Sequence, residues 1–510
     1  MIRNSTQRSK YSPLKENYVE PTNSNVRQII NICLLFVFSG LCVAIIFITW
    51  TFNENVQAPP HKLTNIPSFI VNRSSILSQY LATLDNNFSI PTSHHLFNGT
   101  SNSNSAEDGG SVIEIKQLSD SETLRPSKFG NFISSKVRKD DGSNGFRLVC
   151  YYAVPDEVDS MSLKVTDIEA ELCTHLNIGV IDVQQNALVL TDKVRQTLRD
   201  VKALKVKNKD LKVLLWVGAA YTGHFSEMVH NHANRKMFIR SLKATLEEFR
   251  IDGIDLDWEF PNGMTNERIH FAQLLHEIRR EYQREHRTYL LSLAVAAPSV
   301  LVDMTYDVRE INNYVDFVNI MTYDFNFYSK QTPWTGLNSP LYKRHSEGSV
   351  LAMLNINYSV NYWEQRGLER SKIVIGLPTY AHTYKLVNPF NTKIGSPAEG
   401  NGFVGQSGFA SYSEVCWFQQ SNLFVTVVYD VETCSPYMYA GTEWISFENE
   451  RSLECKVKFI RSNNYGGAMV FSLNTDDTTS TCLQHSHDKQ KKGNLTRFPL
   501  VQKVKSILFN

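Results

Sequence analysis

Beyond about residue 146 the chain alternates between short apolar runs and longer stretches in which apolar residues recur every three or four positions. Short runs of this kind predict strands, and the longer period predicts helices. The pattern predicts eight strands, at 147–153, 175–183, 211–218, 251–259, 289–297, 315–324, 372–380 and 466–473. Helical patterns follow or separate most of them, at 192–208, 233–249, 266–286, 349–366 and from Pro499 to the end.

Eight strands with intervening helices over about 360 residues predict an α/β fold of the (β/α)8 TIM-barrel type over residues 146–510. About 85 residues separate the seventh strand from the eighth, which predicts a large insertion there. A doubly wound open sheet shares the alternation, but it requires a glycine-rich phosphate turn after its first strand. The segment "YYAVPDEVDS" is not such a turn, so we favour the barrel.

A second hydrophobic feature lies near the N-terminus. The 22 residues from Ile29 to Trp50 carry no charge, and this length is enough to cross a bilayer as a helix. Basic residues outnumber acidic ones before the run, so the positive-inside rule leaves residues 1–28 as a cytosolic tail. A cleaved signal peptide would have an unusually long charged region and apolar core. We expect an uncleaved signal-anchor helix over 29–51 and a single-pass type II membrane protein with a lumenal or extracellular head.

Residues 52–145 differ from the head in composition. Segments such as "NGTSNSNSAEDGGS" contain few large apolar residues and cannot bury enough surface to offset the entropy of ordering. We expect a disordered stalk that holds the head away from the membrane. Acceptor triplets for N-glycosylation, which fit a lumenal or extracellular head, occur at Asn72, Asn87, Asn98, Asn357 and Asn494.

Charge and cysteine content narrow the function classes. The 52 Lys and Arg residues balance the 51 Asp and Glu residues, so we expect no nucleic-acid partner. No cysteine pair has the CxxC spacing of a zinc or redox site, and an even number beyond the apolar run favours disulfides. These cysteines are Cys150, Cys173, Cys416, Cys434, Cys455 and Cys482.

The candidate chemistry lies in "RIDGIDLDWEF", residues 250–260. Side chains two apart in a strand point to the same side, so Asp255, Asp257 and Glu259 share one face and the apolar residues between them share the other. In a barrel these acids would line the interior, with Glu259 nearest the C-terminal rim, where such barrels place their chemistry. Neighbouring carboxylates raise one another's pKa, and a carboxylic acid protonated near neutral pH can donate to a leaving group.

Two structural explanations compete with a catalytic one. A calcium loop of the EF-hand type that began at Asp255 would need Gly and Glu where the chain has Phe260 and Asn266. A solvated acidic edge strand would explain the charges but not the Ile, Leu and Trp between them. Alternation alone does not decide between a catalytic and a structural role for the acids.

The same run resembles the DGxDxDWE signature of glycoside hydrolase family 18, the chitinases and chitinase-like lectins. Six further blocks occur in the family's order and extend the similarity over about 146–510: "CTHL", "MTYDF", "NSPLY", "GLPTYAHTY", "YSEVC" and "GGAMVFSL". The resemblance implies that the insertion, at about 382–450, is a small α+β domain that walls one side of a substrate cleft. It also implies disulfides Cys150–Cys173 and Cys416–Cys482, and it leaves the pairing of Cys434 and Cys455 open.

The family's chemistry is substrate-assisted, because the carbonyl oxygen of the sugar's own N-acetyl group acts as the nucleophile. By similarity, Glu259 would be the general acid and base, Asp257 would hold the acetamide, and Asp255 would tune Asp257. Neither a metal ion nor an organic cofactor is required. The residues that the resemblance implies for substrate binding are Tyr151, Met321, Tyr323, Asp324, Tyr380 and Phe471.

Several positions depart from the family pattern. Trp216 and Ala219 stand where the third strand has Ser and Gly, and Val180 stands where an aromatic residue lies beneath the substrate. His382 replaces an Arg that hydrogen-bonds the sugar, and Phe471 replaces the Trp platform under it. We assign no role to His382 from the sequence, because a lone His is more often a packing residue than a catalytic one.

Three functions remain open. The first is hydrolysis of β-1,4 bonds in chitin or N-acetylglucosamine-containing glycans, which the complete acid triad favours. The second is a non-catalytic chitinase-like lectin that binds such glycans, which the altered sugar-binding positions favour. The third is an endo-β-N-acetylglucosaminidase that cuts the chitobiose core of N-glycans by the same mechanism. We favour hydrolysis, because loss of Glu259 would have been the simplest way to end activity.

The N-terminal anchor can be tested by fractionation. We expect the full-length protein to stay in the membrane pellet after an alkaline carbonate wash, because a spanning helix is held by hydrophobic burial and not by charge. Immunoblotting of pellet and supernatant would measure this. Release into the supernatant would indicate signal cleavage or shedding of the head.

Overall fold

A computed structural model of the chain describes residues 145–155, 162–219, 223–483 and 497–510. The predicted cytosolic tail, membrane helix and nearly all of the predicted stalk lie outside these residues, as do all the glycosylation triplets except that of Asn357. No helix in the described ranges combines the length and the apolar character needed to span a bilayer.

Eight parallel strands close into a barrel, as the sequence predicts. Hydrogen-bonded pairing runs through β1, β2, β4, β5, β6, β7, β8 and β15 and returns to β1, while β3 pairs antiparallel with β2. This sheet contains β1 (Arg147–Ala153), β2 (His175–Gln184), β3 (Ala187–Val189), β4 (Lys212–Ala219), β5 (Gly253–Trp258), β6 (Leu290–Ala296), β7 (Phe317–Met321), β8 (Ile373–Pro378) and β15 (Gly467–Phe471).

Helices lie between the barrel strands. The predicted helix over 192–208 is two helices, and the one predicted from 349 begins only at Ile356, because Asn355 caps it by accepting a hydrogen bond from the Tyr358 N–H. The helices are α1 (Asp192–Asp200), α2 (Lys202–Lys207), α3 (Gly223–Val229), α4 (His232–Phe249), α5 (Glu267–Arg284), α6 (Ser299–Thr305), α7 (Val308–Tyr314), α8 (Ile356–Gln365), α9 (Tyr412–Ser421), α10 (Glu450–Ser462) and α11 (Pro499–Phe509).

The residues between β8 and β15 form a second, antiparallel sheet with its own small apolar core beneath α9. Its order is β10-β9-β14-β13-β12, and β11 pairs antiparallel with the first residues of β9. The strands are β9 (Tyr380–Leu386), β10 (Ala398–Asn401), β11 (Phe409–Ser411), β12 (Thr426–Asp430), β13 (Ser435–Ala440) and β14 (Glu443–Ser446). Since β9 begins two residues after β8 ends, the insertion grows directly from the C-terminal rim of the barrel.

Three disulfides connect these parts. Cys150–Cys173 joins β1 to the residue stretch before β2, and Cys416–Cys482 joins α9 of the insertion to the segment after β15. These are the two pairs that the family resemblance implies. The remaining pair, Cys434–Cys455, joins the insertion to α10. Two covalent links therefore join the insertion to the rest of the chain.

A buried ion pair joins α10 to the loop that precedes it. Lys456 of α10 places its Nζ 2.5 Å from Oε1 of Glu448, and each side chain is 1% exposed. Burial raises the pKa of Glu448 and lowers that of Lys456, while the attraction between the two charges opposes both shifts. Each charge therefore depends on its partner to remain inside the protein.

Replacing Lys456 with Met should lower the free energy of unfolding by about 3–5 kcal/mol, because the variant leaves the Glu448 carboxylate buried without its cation. The double variant Lys456→Met, Glu448→Leu should recover most of this loss. Urea unfolding of the three proteins would measure the difference. A single variant as stable as the parent would contradict the importance of the pair.

Candidate active site

The acidic run lies where the strand pattern predicts. Asp255 and Asp257 are inward-facing residues of β5, and Glu259 follows at its C-terminal end. The three side chains are 0%, 0% and 5% exposed. Trp258 points the other way, where its ring stacks on Phe225 of α3 and meets Phe271 of α5 edge-on. Outward apolar packing therefore holds the strand while the acids face the barrel axis.

Asp255 accepts hydrogen bonds from three donors on other strands of the barrel. Its Oδ2 accepts from the Tyr151 hydroxyl at 2.5 Å, and its Oδ1 accepts from Ser292 Oγ at 2.6 Å and Asn319 Nδ2 at 3.0 Å. Burial raises the pKa of Asp255 to about 7, and the neighbouring Asp257 acts in the same direction, although the donors oppose the shift. Near neutral pH this carboxyl is therefore poised between its neutral and charged forms.

Asp257 accepts a hydrogen bond from a residue of β4. The indole Nε1 of Trp216 donates to Asp257 Oδ2 at 2.8 Å, and Trp216 is fully buried. The two strands can approach here because Gly218 pairs with Asp257 and has φ of +120°. A Cβ at Gly218 would lie 2.3 Å from the carbonyl oxygen of Asp257. A side chain at this position would thus push β4 away from the acid.

Aromatic rings surround the acids. The centroid of Phe471, at the end of β15, lies 5.5 Å from Tyr151, 5.6 Å from Trp216, 5.7 Å from Tyr323 and 6.4 Å from Tyr380. Trp216 meets both Tyr151 and Phe471 nearly at right angles, in the edge-to-face geometry that aromatic rings prefer. The structure therefore brings Tyr151, Tyr323, Tyr380 and Phe471, which the sequence places far apart, into one wall around the acids.

Asp324 forms a second polar cluster. Its Oδ1 accepts from the Tyr380 hydroxyl at 2.5 Å and lies 2.7 Å from Nε2 of His382. The backbone N–H of Asp324 donates to Asn338 Oδ1 at 2.8 Å. His382 belongs to β9, so this cluster joins the inserted sheet to the barrel where substrate-binding residues were expected.

Sequence reasoning assigned no role to His382, and the structure corrects that view. The side chain is buried and bonded to Asp324, so it belongs to the candidate site. The available signal was its alignment with an Arg that binds sugar in the family. Ser292, Asn319 and Asn338 were also missed; they are single polar residues in apolar strands or a loop, and only the barrel brings them to the acids.

Glu259 and Asp324 border a small cavity. It has a volume of about 30 Å³, roughly that of one water molecule, and Met321 at the end of β7 is part of its wall. Its lining is Glu259, Phe260, Ala296, Ala297, Pro298, Leu301, Met321, Tyr323 and Asp324. This cavity by itself is smaller than a sugar ring. A larger cleft of about 600 Å³ lies at the opposite, N-terminal end of the barrel, far from the acids, and we do not assign the chemistry to it.

Comparison with known proteins gives a consistent result. A family model described as Glycosyl hydrolases family 18 matches residues 147–476. Chitinase-3-like protein 2 of Homo sapiens is 32% identical over 381 residues, which are 72% of this chain and 94% of that protein.

Two solved structures with 31% sequence identity superpose on the chain with a TM-score of 0.66. One is described as an immunomodulatory active chitinase from Trichuris suis and covers 71% of this chain and all of that one. The other is human YKL-39, described as a pseudo-chitinase with retained chitooligosaccharide-binding properties, and it covers 72% of this chain and all of that one.

The burial of Asp255 has a measurable consequence for stability. Its pKa is about 7 in the fold and about 3.9 in an unfolded chain, so the folded state binds the proton more tightly. The stabilisation from this residue is fully present below about pH 4 and is lost as the pH rises through about 7. The variant Asp255→Asn has no such titration. As the pH rises from 4 to 8, the unfolding free energy of the variant should therefore increase relative to that of the parent by up to about 4 kcal/mol.

Urea unfolding at a series of pH values would measure this difference. The exposed residue Asp210 provides a control, Asp210→Asn, that removes a carboxylate without removing a buried one. A difference between parent and Asp255→Asn that does not change with pH would contradict the burial-driven shift.

Proposed function

Because this chain belongs to glycoside hydrolase family 18, we propose that it hydrolyses β-1,4 glycosidic bonds in chitin or N-acetylglucosamine-containing oligosaccharides. The observation that carries the proposal is the row of Asp255, Asp257 and Glu259 at the C-terminal end of β5. All three acids are present with the family's spacing, and they face the barrel interior where a TIM barrel carries out its chemistry.

The reaction proceeds in two steps with retention of configuration. Glu259 donates its proton to the glycosidic oxygen while the acetamide carbonyl oxygen of the sugar attacks the anomeric carbon, so one C–O bond breaks as another forms. The product is a cyclic oxazolinium ion and a released sugar. Glu259, now a carboxylate, takes a proton from water, whose oxygen attacks the anomeric carbon and reopens the ring.

The neighbouring residues support each step. Asp257 accepts from the acetamide N–H and stabilises the positive charge of the ring intermediate. Asp255, poised near neutral pH, adjusts the charge that Asp257 carries. Asp324, oriented by Tyr380 and His382, binds the sugar beside them. The roles of these residues follow the family resemblance.

A lectin function is the second candidate, and the 30 Å³ cavity is the observation that favours it. A site that binds a sugar at its rim does not need the ring to reach Glu259, whereas hydrolysis does. The human YKL-39 structure illustrates a relative described as binding chitooligosaccharides without being a true chitinase.

We further propose that the chain is a single-pass type II membrane protein whose head lies outside the cytosol. The uncharged run over 29–50 and the basic residues before it support this topology. Three disulfides in the described head fit an oxidising compartment, where such bonds persist.

The proposed activity is tested with the head, residues 146–510, and oligomers of N-acetylglucosamine. The parent should release shorter oligomers, and Glu259→Gln should reduce the rate by about 100- to 10,000-fold, because an amide cannot donate the proton. Chromatography of the products over time would measure both rates, with thermal melting to verify that each variant folds.

Glu443 offers a matched control. This glutamate is also fully buried, but it lies in the inserted sheet, and burial raises its pKa to about 8. Glu443→Gln replaces a carboxyl that is mostly neutral at pH 7 and should retain activity. Binding of the oligomers by both parent and Glu259→Gln without cleavage by either would assign the lectin function instead.

A further inference from the structure

The buried indole of Trp216 occupies an unusual place in this site. The family pattern has a small Ser here and a large Trp at the end of the eighth strand, whereas this chain has Trp216 and Phe471. The rings of the two residues are in contact, with centroids 5.6 Å apart and planes at 86°. Compared with the family pattern, this chain therefore has its Trp in the middle of β4 and not at the end of β15. The two substituted positions are neighbours in space.

The indole N–H of Trp216 is a hydrogen-bond donor at this position. Trp216 Nε1 lies 2.8 Å from Asp257 Oδ2, and both residues are fully buried. A donor to a carboxylate in a site without water is stronger than a bond between neutral groups, and it restricts rotation of the carboxylate. The orientation of Asp257 is therefore set from below by an indole N–H.

Ordinary core packing is the alternative explanation for Trp216. Packing alone accounts for the ring contacts with Tyr151 and Phe471, but it does not require the polar edge of the indole to meet an acid. Trp444 shows what a purely structural indole does in this fold. It is equally buried, and its Nε1 donates to the backbone carbonyl of Thr392 at 3.0 Å in the inserted sheet.

We propose that Trp216 is a positioning residue that makes this site selective for sugars bearing an N-acetyl group. Its N–H holds one oxygen of Asp257 and leaves the carboxylate oriented to accept from the acetamide N–H. Its ring packs edge-to-face against Phe471 and so fixes the position of Phe471 in the aromatic wall. Trp216 itself does not touch the sugar, because it is fully buried behind these two residues. The inference takes one element from the proposed function, which is that the bound sugar is N-acetylglucosamine.

The substitution Trp216→Phe separates the two contributions, since it keeps a ring for packing and removes the donor. Binding is measured by calorimetry in the full-length protein carrying Glu259→Gln, which prevents turnover. The probes are the tetramer of N-acetylglucosamine and the tetramer of glucosamine, which lacks the acetyl groups. The matched control is Trp444→Phe, which also removes one buried indole N–H.

We expect Trp216→Phe to weaken binding of the N-acetylated tetramer by about tenfold or more, the usual effect of losing a hydrogen bond to a charged group. Its effect on the glucosamine tetramer should be less than about twofold, and Trp444→Phe should change neither affinity. Comparable thermal melting of the two variants would confirm that both are folded.

Three results would overturn the inference: unchanged affinity in Trp216→Phe, equal weakening for both tetramers, or a parent that binds neither tetramer. Equal weakening would mean that Trp216 is a packing residue only. The absence of hydrolysis by the parent protein would overturn the proposed glycosidase function without affecting this test, because the test measures binding.

Discussion

The closed barrel confines several carboxyl groups in a space that excludes water, and this constraint shapes everything around them. Charged oxygens lose their hydration on burial, so each must find donors or a proton. Asp255 receives donors from β1, β6 and β7, and Asp257 receives one from β4. The polar residues of the barrel interior are thus present because the acids need hydrogen-bond donors. The same burial that lowers stability keeps Asp255 partly protonated near neutral pH.

The inserted sheet completes what the barrel alone lacks. His382, on its first strand, reaches back to Asp324 on the loop after β7, and Tyr380 at the start of the same strand bonds the same oxygen. Disulfides fasten the insertion to α10 and to the segment after β15. The polar cluster around Asp324 is therefore built across two structural units, and their relative position determines its geometry.

Aromatic residues give this site its particular character. Phe471, Tyr323 and Tyr380 pack against one another beside the acids, and Tyr323 also lines the cavity of about 30 Å³ at Glu259. A smaller ring at Phe471 has not left an open pocket, because Trp216 fills the space behind it. Close packing explains this, since a protein interior does not keep a void of that size.

The sequence by itself determined the barrel and the identity of its acids. Short apolar runs located all eight barrel strands to within a few residues, because strands of a parallel barrel are buried on both faces. The two-residue repeat of a strand placed Asp255, Asp257 and Glu259 on one face. Their family resemblance supplied the reaction and two of the three disulfides.

Only the tertiary structure decided which residues accompany these acids. The partnership of Trp216 with Asp257, the bond from His382 to Asp324 and the donors Ser292 and Asn319 join positions between 37 and 64 residues apart. No local pattern in the chain records such contacts. They arise because parallel strands from distant parts of the sequence converge at one end of a closed barrel, where burial forces each polar group to find its partner.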